Sequence, residues 1–292
     1  MPMSKMIVPP LAALALAVFV VSAPATAFAQ AAGGAAPGSA RTWVQSTWKT
    51  DKVLRVCGDP DNLPFSNDKQ EGFENKIAAV LAQEMGDSLA YLWWPHRRGF
   101  VRNTLSAVGC DVLIGIPSGF DPVSATKPYY RSTYYIVTRQ SRNLGITSLD
   151  DSLFRRLRVG VNEIGYDYTN TPPAQALAAR KVQRLTGYST FYNDDHRPND
   201  IIDAVAKGDI DVALVWGPLA GYYASRNGVP LTLTALPDSD ASSGIPFAFD
   251  VSIGVRRADR ELKAALESAL ERRRDDILKI LEAYHVPMLR KP

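Results

Sequence analysis

Two aspartates and an asparagine, Asp59, Asp61 and Asn62, crowd one short stretch, CGDPDNLPFSN. Side chains of this kind hold divalent cations or, when a carboxyl pKa is displaced, act as acid or base. A calcium loop of the helix–loop–helix type is excluded because Leu63 and Gln70 fall where oxygen ligands are required. The same short polar residues also build turns, which is the simpler account of them. Glu163 is a second carboxylate suited to acid–base work, yet neither it nor Asp59 sits in a catalytic motif. The histidines His96, His196 and His285 are far apart and lack zinc spacing. No nucleophile elbow, phosphate-binding P-loop or dinucleotide glycine fingerprint occurs. The expectation is a chain with no catalytic residues and no metal, haem or PQQ of its own.

A different chemistry is spread along the chain. Phe65, Trp93, Trp94, Tyr129, Tyr130, Tyr166 and Trp216 fall at or near the ends of predicted strands, while Arg97 and Arg98 follow WWP and Arg131 follows PYY. A broad aromatic surface with arginines suits a protein segment better than a small solute. The competing account is that most of these rings are core, since a strand buries every second residue.

The elements that must position these groups alternate. Val53–Cys57 reads as a buried strand, followed by the turn-rich loop and a helix with Phe73, Ile77, Val80, Leu81 and Met85 on one face, stopped by Gly86. LAYLWW, CDVLIGI, YYRSTYYIVTR, LRVGV, VQRLTGY, DVALVW, PLTLTAL and FDVSIGVR read as strands. GFVRNTLSAV, PPAQALAAR, NDIIDAVAKG and PLAGYYASRNG read as helices, and Asp259 to Tyr284 as one long helix. Its RRRDD run is a solvated face with compensating charges. Alternation of this kind predicts an α/β fold with a largely parallel sheet covered on both faces. Loops leaving the C-terminal ends of such strands face the ligand crevice, which places a cleft near Asp59–Ser66.

The start of the chain reads as an export leader. Lys5, an apolar run from Met6 to Ser22 and Ala27-Phe28-Ala29 form a signal peptide over residues 1–29, followed by a flexible segment, 30–49. Export predicts a periplasmic protein without a membrane span in its mature form. Removing Lys5 leaves 32 basic against 30 acidic residues, a balance that gives no reason to invoke nucleic acid. In an oxidising compartment Cys57 and Cys110, one ending a strand and one opening another, are candidates for a disulfide.

The segment LPFSNDKQEGFENKIA resembles the opening of periplasmic solute-binding proteins, with Lys76 where that family more often has Asp. The resemblance implies a bilobal, type II-like fold of two α/β lobes joined by two crossing strands, KPYYRSTYYIV and FAFDVSIGV. Lobe 1 is then 50–128 with 250–292, and lobe 2 is 132–247. Three polar anchors of amino-acid receptors are missing. CDVLIGIPSGFDPVSATKPYYRS lacks the T-x-E-R arginine, VGVNEIGYDYTNTPPAQAL lacks the G-x-x-GT turn, and Trp216-Gly217-Pro218 replaces the aspartate before GYY.

CGDPDNLPFSN, GFENKIA, WWPHRRGFVRNTL, CDVLIGIPSG and TKPYYRSTYYIVTR together resemble the J proteins of PQQ-dependent methanol dehydrogenase systems (XoxJ and MxaJ types), with His96 where Gln is more usual. That resemblance implies a monomeric, non-enzymatic accessory factor. Its partner would be a methanol dehydrogenase of XoxF or MxaF type, with the lanthanide-dependent XoxF type favoured. The groove residues implied are Asp59, Asp61, Asn62, Phe65, Arg97, Arg98, Tyr129, Tyr130, Arg131, Asn162, Tyr166 and Trp216. The alternatives are a receptor for a small molecule and a dehydratase-like enzyme on the same scaffold.

Overall fold

The computed structural model describes residues 46–164, 169–190, 192–193 and 195–290. The signal peptide expected over 1–29 and Tyr166 lie outside the described residues. A helical turn, α1 (Trp48–Asp51), precedes β1 (Val53–Gly58), so packed structure begins a few residues before position 50. Trp48 explains the difference: its ring packs on the first core cluster. The turn after β1 contains a two-residue ladder, β2 (Asp61–Asn62) with β3 (Ser66–Asn67), and a cis Leu63–Pro64 bond.

Helix α2 (Phe73–Met85) ends at Gly86, whose φ of 70° is the left-handed conformation that glycine adopts without penalty. Phe73, Ile77 and Leu81 are wholly buried, each contributing roughly 1.5–3 kcal/mol. After β4 (Ser88–Trp93), a single helical turn α3 (Phe100–Asn103) leads to β5 (Val112–Pro117), the short β6 (Ser124–Ala125) and the long β7 (Tyr130–Arg139).

Next come β8 (Val159–Ile164), β9 (Thr169–Asn170), α4 (Pro172–Ala179), β10 (Leu185–Ser189), α5 (Asp200–Lys207), β11 (Val212–Trp216), α6 (Gly217–Arg226) and β12 (Leu231–Ala235). The chain returns through β13 (Ala248–Val255) to α7 (Arg260–Arg272) and α8 (Arg274–Ala283). The single long helix expected from Asp259 to Tyr284 is therefore two. The break at Arg273 falls in ERRRDD, where no apolar side chain ties the helix to the core, and each half buries its own leucine or isoleucine face beneath it.

Eight strands run in the order β10-β8-β11-β7-β13-β5-β1-β4, with β12 added to β7, β6 to β13 and β9 to β8. β1 is parallel to β4 and β5, and β8 is parallel to β10 and β11. The two halves of the sheet meet at β7 and β13, which are antiparallel to each other from Ala248↔Thr133 to Val251↔Tyr130. Beyond that register β7 pairs with β11 and β12, and β13 pairs with β5.

Separate cores flank the junction. Leu54, Val56, Ile114, Ile253 and the α2, α7 and α8 faces form one. Val159, Val161, Leu177, Leu214 and Phe247 form another. Cys57 and Cys110 are bridged at a Cα–Cα distance of 5.4 Å, on the face of the first half that packs Leu105, Leu113 and Ile116. Among the described residues no helix is long and apolar enough to cross a membrane.

Candidate functional site

The first wall of the candidate site is the turn leaving β1. Gly58 lacks a side chain because the Trp93 ring lies across it; a Cβ there would come within 2.7 Å of the indole. Trp93 in turn stacks on Tyr91 with centroids 4.4 Å apart. Asp59 is buried, and its carboxylate is filled by backbone amides. Oδ1 accepts from Asp61 N at 3.0 Å and Oδ2 from His96 N at 2.7 Å. The Asp59 carbonyl accepts from Ser66 Oγ at 2.8 Å. Asp59 is thus a turn-builder with no oxygen free of backbone, while Asp61 points to solvent.

Asn75 closes the other end of the turn, accepting from the amides of Asn67 and Gly72 at 3.1 Å each. Among the described residues no group of three or more His, Cys, Asp or Glu side chains is placed to hold a metal. Glu163 lies over Gly187 on the neighbouring strand.

Glu74 is the residue that the sequence pattern hides. It occupies the first turn of α2, beside the buried Phe73, and is itself only 8 % exposed. Gly115, at φ +81°, makes room for it: a Cβ at that position would fall 1.8 Å from Glu74 Oε1. Burial, and then the nearby Asp59 carboxylate, push the Glu74 carboxyl up to about 8. At neutral pH it is a largely neutral acid. The nearby Tyr129 hydroxyl is also buried, without a hydrogen bond of ordinary geometry. Tyr130 is core, edge-on to Phe73 at 6.4 Å.

The second side of the candidate site is aromatic. Trp216 ends β11 and meets Tyr134 at 5.2 Å and Phe249 at 6.0 Å, both at steep ring angles. It also packs against the core of the first half. Phe65 does the reverse: it sits in the first turn and packs against clusters from both halves. Around them the halves are tied. Tyr223 Oη donates to Leu63 O at 3.0 Å. Tyr222 stacks on Tyr284 at 5.7 Å, and Tyr284 Oη donates to Glu71 O. The last described residues cross the junction, where Ser132 Oγ donates to Pro287 O at 2.6 Å and Leu289 N to Arg131 O at 2.8 Å. Gly221 is required beneath this strand of chain, since a Cβ would lie 2.0 Å from His285 O.

The remaining candidates separate into four groups. Arg131 is engaged, bridging Asp238 at 3.0 Å and Asp250 at 3.3 Å. Asn162 is buried, and its carbonyl accepts from Thr171 Oγ1 at 3.1 Å. Asn62 is half-buried in the β2–β3 ladder, and Arg97 and Arg98 are exposed. A cavity of about 340 Å³ away from this junction is walled by Leu149, Arg180, Leu236, Asp240 and Phe247. Its charges satisfy one another: Arg180 pairs with Asp240 at 2.6 Å and Asp150 at 2.8 Å, holding the Asp240 carboxyl below its ordinary range.

With this geometry in place, comparison with known proteins is decisive. The protein MoxJ of Paracoccus denitrificans is 33% identical over 254 residues, spanning 81% of this chain and 89% of that one. The chain belongs to the MoxJ family. The MoxJ of Methylorubrum extorquens is 31% identical, with 81% and 82% of the two chains aligned. The crystal structure of the periplasmic binding protein XoxJ from Methylobacterium extorquens AM1 superposes with a TM-score of 0.67 at 37% identity, covering 82% of this chain and all of that one. MxaJ from Methlophaga aminisulfidivorans MPT gives a TM-score of 0.71 at 27% identity over 81% of this chain and all of that one. No protein-family model matches. The fold is the bilobal, type II-like fold of periplasmic binding proteins, which this MoxJ-family chain shares with an ancestral amino-acid-binding protein at a TM-score of 0.60.

Proposed function

We propose that this chain is a non-enzymatic periplasmic accessory factor of methanol oxidation. In this reading the groove between its lobes, 50–128 with 250–292 and 132–247, receives a segment of a PQQ-dependent methanol dehydrogenase and helps to activate or mature it. The observation that carries the reading is the state of Asp59. The buried carboxylate of the turn after β1 is consumed by that turn's own backbone, and the candidate site also offers the half-buried rings gathered at Trp216. Aromatic anchors with few free charges favour a protein segment over a small polar solute. The lanthanide-dependent XoxF type is the preferred partner, because identity to XoxJ (37%) exceeds identity to MxaJ (27%).

Pulldown from a methanol-grown periplasm with the purified chain should recover the dehydrogenase, and adding the chain should raise dehydrogenase activity. If neither occurs across a broad concentration range, the reading fails. A second reading, a receptor for a small molecule, is favoured by the Glu74 carboxyl, which burial and the nearby Asp59 carboxylate push up to about 8, beside the buried Tyr129 hydroxyl. Native mass spectrometry of protein purified from its host would show a bound metabolite if that reading holds.

A further inference from the structure

The turn between β4 and α3, joined to the Asp59 turn through the His96 amide, presents several exposed side chains. Trp94 is 40% exposed, one of two large apolar side chains so exposed among the described residues. Arg97, Arg98 and Arg102 follow it, all exposed. None of the three takes part in an ion pair among the described residues, whereas Arg55, Arg131, Arg180, Arg256 and Arg273 all do.

The turn is nevertheless rigidly built. Trp94 N donates to Gly58 O at 2.8 Å, and Phe100 N to Arg97 O at 2.9 Å. Asp59 fixes the His96 amide, and the His96 ring meets Phe100 edge-on at 4.2 Å. Phe100 and Val101 are seated on the core that carries the Cys57–Cys110 bridge. Gly99, at φ +87°, reverses the chain and lets the Arg102 guanidinium fold back over it, within 3.2 Å of where a Cβ would stand. Trp and Arg are the side chains that most often dominate protein interfaces, and a preorganised frame reduces the entropy lost on binding. Guanidinium groups without internal partners select carboxylates, often in a bidentate fork.

We propose that residues 94–102, beside the Asp59 turn, form a docking surface for an acidic protein segment that places an apolar side chain on Trp94 and carboxylates on Arg97, Arg98 and Arg102. This rests on the reading of the chain as a protein-binding accessory factor and adds the chemistry of the partner: a carboxylate-rich patch on the dehydrogenase. Arg155 and Arg156, which are also exposed, have no exposed large apolar neighbour and serve as the matched control.

The test uses the full mature chain and two binding arms. In the first, a fluorescein-labelled peptide of Asp and Glu around a central Phe is titrated and followed by anisotropy. Arg97→Glu/Arg98→Glu should weaken binding by about tenfold or more, Trp94→Ala by about three- to tenfold, and Arg155→Glu/Arg156→Glu by less than about twofold. Circular dichroism and thermal melts confirm that each variant is folded. Equal losses in the two charge-reversed proteins, or no binding by the unaltered chain, overturn the proposal. In the second arm the ligand is purified PQQ-dependent methanol dehydrogenase. If the unaltered chain binds it and Arg97→Glu/Arg98→Glu binds equally well, the surface is wrong and the groove reading stands. If the peptide binds in the predicted order but the dehydrogenase does not bind at all, the partner assigned above is wrong and the acid-binding surface stands.

Discussion

The two walls of the junction are built from opposite materials. The wall after β1 is polar and wired: Ser66 bonds the Asp59 backbone, Asn75 the Asn67 amide, Asp59 the amides of Asp61 and His96, and Asn67 bonds Glu71, while the disulfide ties β1 to the residues before β5. The wall at the end of β11 is a cluster of rings from three strands, Trp216 on β11, Tyr134 on β7 and Phe249 on β13. Polar residues in such a turn are easily taken for ligand groups, but here most of them hold the turn in its own shape. The apolar wall is the one with surface left to offer. Glu74 is the exception on the polar side, because burial rather than bonding defines its state.

The largest expected effect removes the covalent part of the first wall. Cys57→Ala/Cys110→Ala opens a bridge of sequence separation 53, and chain entropy predicts a loss of about 4 kcal/mol, measurable by urea denaturation. A loss below about 1 kcal/mol would mean that the turn is held by its hydrogen bonds alone.

The second effect concerns pH. Glu74 is protonated in the folded protein up to about pH 8, against an ordinary value of 4.5. The folded state therefore holds one proton more than the unfolded state between those values. This contribution to stability is fully present below the unfolded pKa and is lost as pH rises through the folded one, in total about 3–5 kcal/mol. Glu74→Gln keeps the shape and removes the titration. Its melting temperature should gain steadily on the unaltered protein between pH 5 and pH 8.5, and parallel curves would show that the carboxyl is not desolvated.

Smaller still is Tyr223→Phe, which deletes the hydrogen bond from α6 to Leu63 O across the junction. It should cost about 1 kcal/mol and raise amide exchange in residues 61–66. The smallest effect is Asp238→Asn, which breaks a half-exposed pair with Arg131 and should change stability by less than about 1 kcal/mol.

Much of this architecture is legible in the chain because it rests on local periodicity. The apolar spacing in Phe73–Met85 and the stop at Gly86 define α2, and the β-branched and aromatic run at Tyr130–Arg139 marks the strand that joins the halves. What is not legible is non-local. Nothing near Glu74 in sequence indicates burial, because the space for it comes from Gly115, forty-one positions away. The break between α7 and α8 contains neither proline nor glycine and follows from what lies beneath it. Likewise Arg131 reads as a free groove arginine until Asp238 and Asp250 are seen to hold it. The aromatics divide by where each strand or turn ends rather than by alternation, with Tyr130 in the core and Phe65 and Trp216 half-buried.

Hydrogen–deuterium exchange of the chain, alone and with saturating PQQ-dependent methanol dehydrogenase, tests the central claim most directly. The account predicts new protection on both walls together, in peptides covering residues 59–66 and 212–218, with little change around the Arg180–Asp240 cavity. Unchanged exchange on both walls in a complex shown to have formed would contradict it.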